Sequence, residues 1–155
     1  MSVVHRAKFV AGMAVGVGFL LAACSSERAY DFNLEQNGET IHLSGSAEDV
    51  HHVVSRPYLT VNFRLGDPHL SLSLYEPSLT IAQAVQLPCV LEKDGVRVAA
   101  RFGGRDFSSE VSGSDGTVTV HDFKAGDEMA LNVSLDVRLA SALGPLRVTG
   151  TADIK

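Results

Sequence analysis

The chain has 155 residues, 13 basic and 18 acidic side chains, a formal charge of −5, no tryptophan and two cysteines. That length points to one domain, with enough chain to close a hydrophobic core without metal or disulfide support. The acidic balance excludes nucleic acid as a partner, since phosphates would be repelled rather than neutralised. Only Tyr30, Tyr58, Tyr75 and seven phenylalanines supply rings for stacking on sugars or bases.

Arg6 and Lys8 lie near the start, and Phe9 to Ala23 then carries no charged side chain. Those 15 residues fall short of the roughly 20 that a spanning helix needs. A cationic start followed by a short apolar helical stretch is the pattern of a secretory signal. The stretch ends in Leu21-Ala22-Ala23-Cys24, a tetrapeptide that resembles the lipobox of bacterial lipoprotein precursors; the resemblance covers residues 1 to 25 only. It implies cleavage between Ala23 and Cys24, diacylglyceryl transfer to the Cys24 thiol and acylation of the new amino group. Two or three acyl chains hold a membrane stably where one would not. Ser25 stands where an aspartate would resemble an inner-membrane retention signal, so the expected address is extracytoplasmic, on the periplasmic face of an outer membrane where the cell has one. Beyond residue 23 the chain keeps 11 basic and all 18 acidic side chains, a formal −7, which disfavours adsorption to anionic headgroups. Residues 24–28 then form the lipidated cysteine and a short tether, and residues 29–155 a single domain.

Tyr30, Phe32 and Leu34 alternate with Asp31, Asn33 and Glu35, the period of a half-buried strand. Asn37-Gly38 is a two-residue hairpin turn that sets Leu34 against Ile41 and Phe32 against Leu43. Glu48 to Pro57 interrupts the alternation. The loop Gly66 to His69 sets Leu65 against Leu70, Phe63 against Leu72 and Val61 against Leu74. Glu76 to Gln86 interrupts again, with Ser78 placed to cap a helical turn bearing Ile81, Ala84 and Val85, a strand being the other reading. Asp94-Gly95 sets Leu91 against Val98, Cys89 against Ala100 and Leu87 against Phe102. Ser112 to Gly116 is a polar turn. Lys124 to Asp127 sets Val120 against Leu131 and Val118 against Val133, and Ala140 to Pro145 sets Leu139 against Leu146 and Val137 against Val148. Each register places apolar residues on one face. The expected fold is all-β, an antiparallel hairpin meander of about ten strands forming a β-sandwich or barrel.

His51-His52 beside Asp49, His69 beside Asp67 and His121 beside Asp122 would suit zinc. No two of these histidines have the i, i+2 spacing that shares a strand face, so solvated surface histidines and no metal are expected. Asp122, Asp127 and Glu128 lack the dense oxygen ligands of a calcium loop. There is no Gly-x-Ser-x-Gly, and His121 and Asp122, as strand neighbours, point to opposite faces, so no catalytic residue is assigned. Cys89 faces inward with Leu87 and Leu91 as an inert thiol, unpartnered once Cys24 is lipidated. Pro88 beside it marks an edge strand or a bulge. The outward feature that calls for an explanation is Arg138 directly opposite Arg147. Such a like-charge pair needs an acid, Asp136 or Asp153, or a bound anion or partner between the two; whether Gly103-Gly104-Arg105 lies nearby stays open.

The expected function is that of a membrane-anchored lipoprotein of the cell envelope. It would be a non-enzymatic interaction or scaffolding module without a cofactor, with a membrane-proximal envelope protein as its partner. The alternative is a binder of a small apolar or lipidic ligand in the interior of a β-barrel. No motif in residues 29–155 resembles a known family.

Overall fold

A computed structural model describes residues 28–126 and 128–155; Ala23, Cys24 and the whole signal segment lie outside the described residues. Among the described residues eleven strands form two antiparallel sheets. The first holds β1 (Tyr30–Gln36), β2 (Glu39–Gly45), β6 (Ala84–Gln86), β9 (Asp115–Lys124), β10 (Ala130–Leu139) and β11 (Leu146–Ile154), in the order β2-β1-β11-β10-β9-β6. The second holds β3 (His51–Ser55), β4 (Tyr58–Arg64), β5 (His69–Tyr75), β7 (Val96–Phe102) and β8 (Arg105–Ser108), in the order β3-β4-β5-β7-β8. The all-β fold is therefore a sandwich, the first of the two architectures expected. No helix among the described residues is long and apolar enough to cross a membrane.

The alternating side chains meet between the sheets. Phe32, Leu34, Val61, Phe63, Leu72, Val98, Val133 and Val148 are fully buried there. The rings of Phe32 on β1 and Phe63 on β4 meet edge to face at 4.9 Å, with Tyr30 5.6 Å from Phe63. This aromatic contact bridges the two sheets and adds about 1 kcal/mol to what burial alone supplies.

Both interruptions in the alternation are crossovers. Glu48 to Pro57 carries the chain from the first sheet to the second through a 3-10 turn (Ala47–Asp49) and then contributes β3. Glu76 to Gln86 returns it through a second 3-10 turn (Glu76–Ser78) to the short edge strand β6, so the helical turn over Ile81 to Val85 does not form. Ser78 instead donates its hydroxyl to the Glu92 carbonyl at 2.6 Å.

The expected hairpin at Asp94-Gly95 is overturned. Leu91–Asp94 closes into one helical turn, α1, in which Asp94 and Gly95 donate to the carbonyls of Val90 and Leu91. The Asp94 carboxylate accepts from the Val90 amide at 2.7 Å, and Gly95 ends the turn at φ +81°. A side chain there would meet the Leu79 Cα at 2.6 Å. Residues 87–91 therefore cross between sheets, and β7 pairs with β5 and β8 instead of with them.

Two registers are as expected. Leu34 faces Ile41 and Phe32 faces Leu43; Leu139 faces Leu146 and Val137 faces Val148. Two others are shifted. Val61 pairs with Leu72, and Val120 with Val133; the pairing is already displaced next to the turns, where Arg64 faces Leu70 and Lys124 faces Ala130, and Phe63 on β4 and His121 on β9 are extra residues opposite a single step of the partner strand. At the first bulge Val61 and Phe63 both stay inward, so alternation does not reveal it, whereas beyond His121 the partly buried position passes to Phe123. Leu65 consequently falls outside the strand and is 59% exposed. Its turn is held elsewhere: the Asp67 carboxylate accepts the amides of Gly103 and Gly104 in the β7–β8 turn.

Cys89 is fully buried, as expected, although not in the expected register. Its thiol donates to the Val96 carbonyl at 3.3 Å and lies 3.4 Å from the Ser109 hydroxyl. Burial pushes the thiol pKa up, outweighing the Ser109 hydrogen bond that pulls it down. Native Cys89 should thus react with a maleimide at least a hundred times more slowly than the unfolded chain, as mass spectrometry of a timed labelling series would read. The raised pKa also means that stability is intact while the unfolded thiol is still protonated and declines as the pH rises above about 8.5.

Candidate functional site

Arg138 and Arg147 do stand opposite each other, on the outward face of β10 and β11. Each already has an acid. Arg138 lies 3.8 Å from Asp115 at the start of β9, and Arg147 lies 3.5 Å from Asp136 on β10. Asp136 therefore supplies one of the two carboxylates anticipated, whereas Asp153 pairs with Lys155 at 3.1 Å. Glu35 of β1 adds a further carboxylate across from Arg147. Local charge is balanced without a bound anion, and all four paired groups are exposed, where such pairs contribute little. Gly103-Gly104-Arg105 belongs to the opposite sheet, so it does not join them.

The histidines are dispersed. His42 Nδ1 lies 3.1 Å from the Asn33 side-chain oxygen and 3.6 Å from Asp31, His69 contacts the Arg64 carbonyl, and His121 Nε2 lies 2.8 Å from the Ser134 hydroxyl. Because His121 is the bulge residue, it and Asp122 are both exposed instead of pointing to opposite faces. Asp122 accepts the Phe123 amide and Glu128 pairs with Lys124 at 3.8 Å; Asp127 lies outside the described residues. Among the described residues no three His, Cys, Asp or Glu side chains converge. In the polar turn, Ser114 is spent on structure. Its hydroxyl donates to the Ser108 carbonyl and accepts the Ala140 amide.

The feature that sequence reasoning missed is β3. It forms the free margin of the second sheet, and all five of its residues, His51-His52-Val53-Val54-Ser55, are exposed. His52 and Val54 lie opposite Val61 and Leu59, and so share their inward face, yet they are uncovered; the first sheet does not reach over this margin. Val53 is 61% exposed and Val54 41%, and Tyr58 at the hairpin end extends the apolar surface to Tyr75, ring centroids 5.0 Å apart.

Free edges invite pairing, and folded proteins usually guard them with charge, brevity or proline. The other three edges here have such guards. The strand β8 has four residues including Arg105 and Asp106, β6 has three and is followed by Pro88, and the exposed side chains of β2 are polar. No Lys, Arg, Asp or Glu falls within β3. Charges stand only at its ends, Glu48 and Asp49 before it and Arg56 after it. Asp49 accepts the amide and hydroxyl of Ser46 at 2.8 and 2.9 Å, which lowers its pKa and keeps it ionised. The signal legible in the sequence was the uncharged β-branched pair Val53-Val54 beside two histidines, ahead of the Arg56-Pro57 turn.

The start of β3 lies at the pole where the described chain begins. Val50 and His52 line a recess of about 540 Å³ with Ala47, Met129, Ile154 and Lys155, and Arg28 and Ala29 line the adjoining one with Ala47, Asp153 and Lys155. A scan of protein-family models, a search of curated proteins and a search of solved structures each returned no match for this chain.

Proposed function

We propose that this chain is a lipid-anchored protein of the bacterial cell envelope whose β-sandwich acts as a non-enzymatic interaction module, contacting a membrane-proximal envelope protein through the β3 margin. The observation that carries the reading is the exposed edge strand, free of Lys, Arg, Asp and Glu, with Val53 and Val54 in the open, since strand addition supplies affinity through main-chain hydrogen bonds and specificity through alternate side chains. The lipobox resemblance supports the anchor. The tether supports closeness to the membrane: four residues span at most about 14 Å when extended, and Arg28 lies at the pole where β3 begins. A ligand carrier has less to stand on, because the interval between the sheets is filled by Phe32, Phe63 and their aliphatic neighbours.

A photoreactive residue at position 54 tests this in cells. It is expected to give a discrete adduct that the same residue at Thr149, on the opposite sheet, does not. Inserting about 20 Gly/Ser residues after Ser26 raises the mean reach to roughly 25 Å and is expected to reduce the position-54 adduct several-fold while the protein still sediments with membranes. Equal adducts from both positions would remove the β3 interface, and an adduct indifferent to the insertion would remove the membrane-proximal partner.

A further inference from the structure

We infer that the β3 edge pairs antiparallel with the β3 edge of a second copy of this chain, a step that rests on the interaction reading above and names its partner. Pairing about Val53 sets Val53 against Val53, His52 against Val54 and His51 against Ser55. Either set of outward main-chain groups satisfies its counterpart in that register, because antiparallel pairs alternate and the arrangement is mapped onto itself by rotation about the twofold axis.

The charges at the strand ends select this occupant. An antiparallel partner must bring a cation to the Glu48-Asp49 end and an acid to the Arg56 end. The same strand reversed does both: Arg56 of one copy falls opposite Val50 of the other, next to its Glu48 and Asp49. Arg56 has no ionic partner among the described residues, and neither does Glu48. The seam holds no Lys, Arg, Asp or Glu to set two like charges against each other, and the register puts His52 opposite Val54 and His51 opposite Ser55, so no histidine faces a histidine.

A five-residue seam is smaller than the interfaces that hold stable dimers in dilute solution. Confinement of copies to one membrane raises their effective concentration and favours the pair there.

Cysteine crosslinking of the full chain in its native membrane tests the pairing. Across the twofold axis the V53C positions lie directly opposite, with Cβ atoms about 5 Å apart, so mild oxidation is expected to give a covalent dimer at least ten-fold above the wild type. The wild type serves as background because Cys89 is buried. H51C positions would be about 13 Å apart along the strands, too far for a disulfide, and should stay monomeric, whereas H51C with S55C should crosslink. Adding R56E to V53C puts acids at both ends of the seam and is expected to lower the dimer several-fold; adding E48K to that chain should restore it. Absence of a V53C dimer, or equal crosslinking by H51C alone, would overturn self-pairing. A position-54 photoadduct whose mass is that of a different protein would overturn it too, while leaving the interaction module standing. No adduct from position 54 at all would remove both.

Discussion

Gly150→Ala is expected to destabilise the domain by about 3 kcal/mol or more, lowering the melting temperature by roughly 10 °C. Gly150 lies in β11 between Phe32 of β1 and Leu135 of β10, at the centre of the first sheet. Its φ of +141° is one that side chains rarely adopt, and a Cβ there would collide with the Asp31 carbonyl oxygen and come within 2.8 Å of the Phe32 Cα and ring. The Phe32 ring occupies the space a side chain would take, an aromatic residue covering a strand glycine. Relief would require Phe32 to leave its 4.9 Å contact with Phe63, so the damage would reach the second sheet. Thermal or urea unfolding checks this, with Thr151→Ala, an exposed neighbour, as a control expected to stay within about 0.5 kcal/mol. An unchanged midpoint in Gly150→Ala would mean that β1 and β11 can separate without cost, contrary to their pairing over six residues.

Cys24→Ser is expected to abolish acylation and membrane attachment altogether. A hydroxyl cannot accept the diacylglyceryl group through the thioether that a thiol forms, and the lipobox resemblance makes cleavage dependent on that modification. The variant should accumulate as an unprocessed precursor or as unlipidated protein, heavier or lighter than the wild type by amounts that intact mass spectrometry resolves. The wild-type chain should partition into the detergent phase through its acyl chains. A wild-type protein recovered soluble and unmodified would remove the anchor, and the tether-insertion and self-pairing experiments would then lose their reason for favouring the membrane. The fold itself is expected to be unaffected, because the first strand begins at Tyr30.

Pairing through β3 would change what the isolated domain does as well as where it sits. Val53→Lys should leave the fold intact, since the side chain is 61% exposed, and should weaken the pair by setting two ammonium groups face to face. The position-54 photoadduct provides the readout, and stability provides the control.

Period-two alternation by itself determined that the domain is all-β and most of the side chains that form its core, because alternation is a property of each strand taken alone, whereas Leu65 and the inward face of β3 are left uncovered. The hairpins at Asn37-Gly38 and Ala140 to Pro145 were legible to the residue, since their pairing runs without interruption from the turn. The opposition of Arg138 and Arg147 followed from the second of these. The bulge at Phe63 was not legible, because Val61 and Phe63 both stay inward across it, and the one at His121 is marked only by the passage of the inward position from Val120 to Phe123. Asp94-Gly95 misled because the same dipeptide serves a hairpin or the end of a helical turn; the Asp94 contact to the Val90 amide and the close approach of Leu79 decide between them. Only the tertiary structure assigned the strands to two sheets, put Asp115 beside Arg138, and left β3 at an uncovered margin. Edge position depends on which strands fail to acquire a second neighbour, and that depends on how the crossovers place every other strand, so no local pattern within His51 to Ser55 could have stated it.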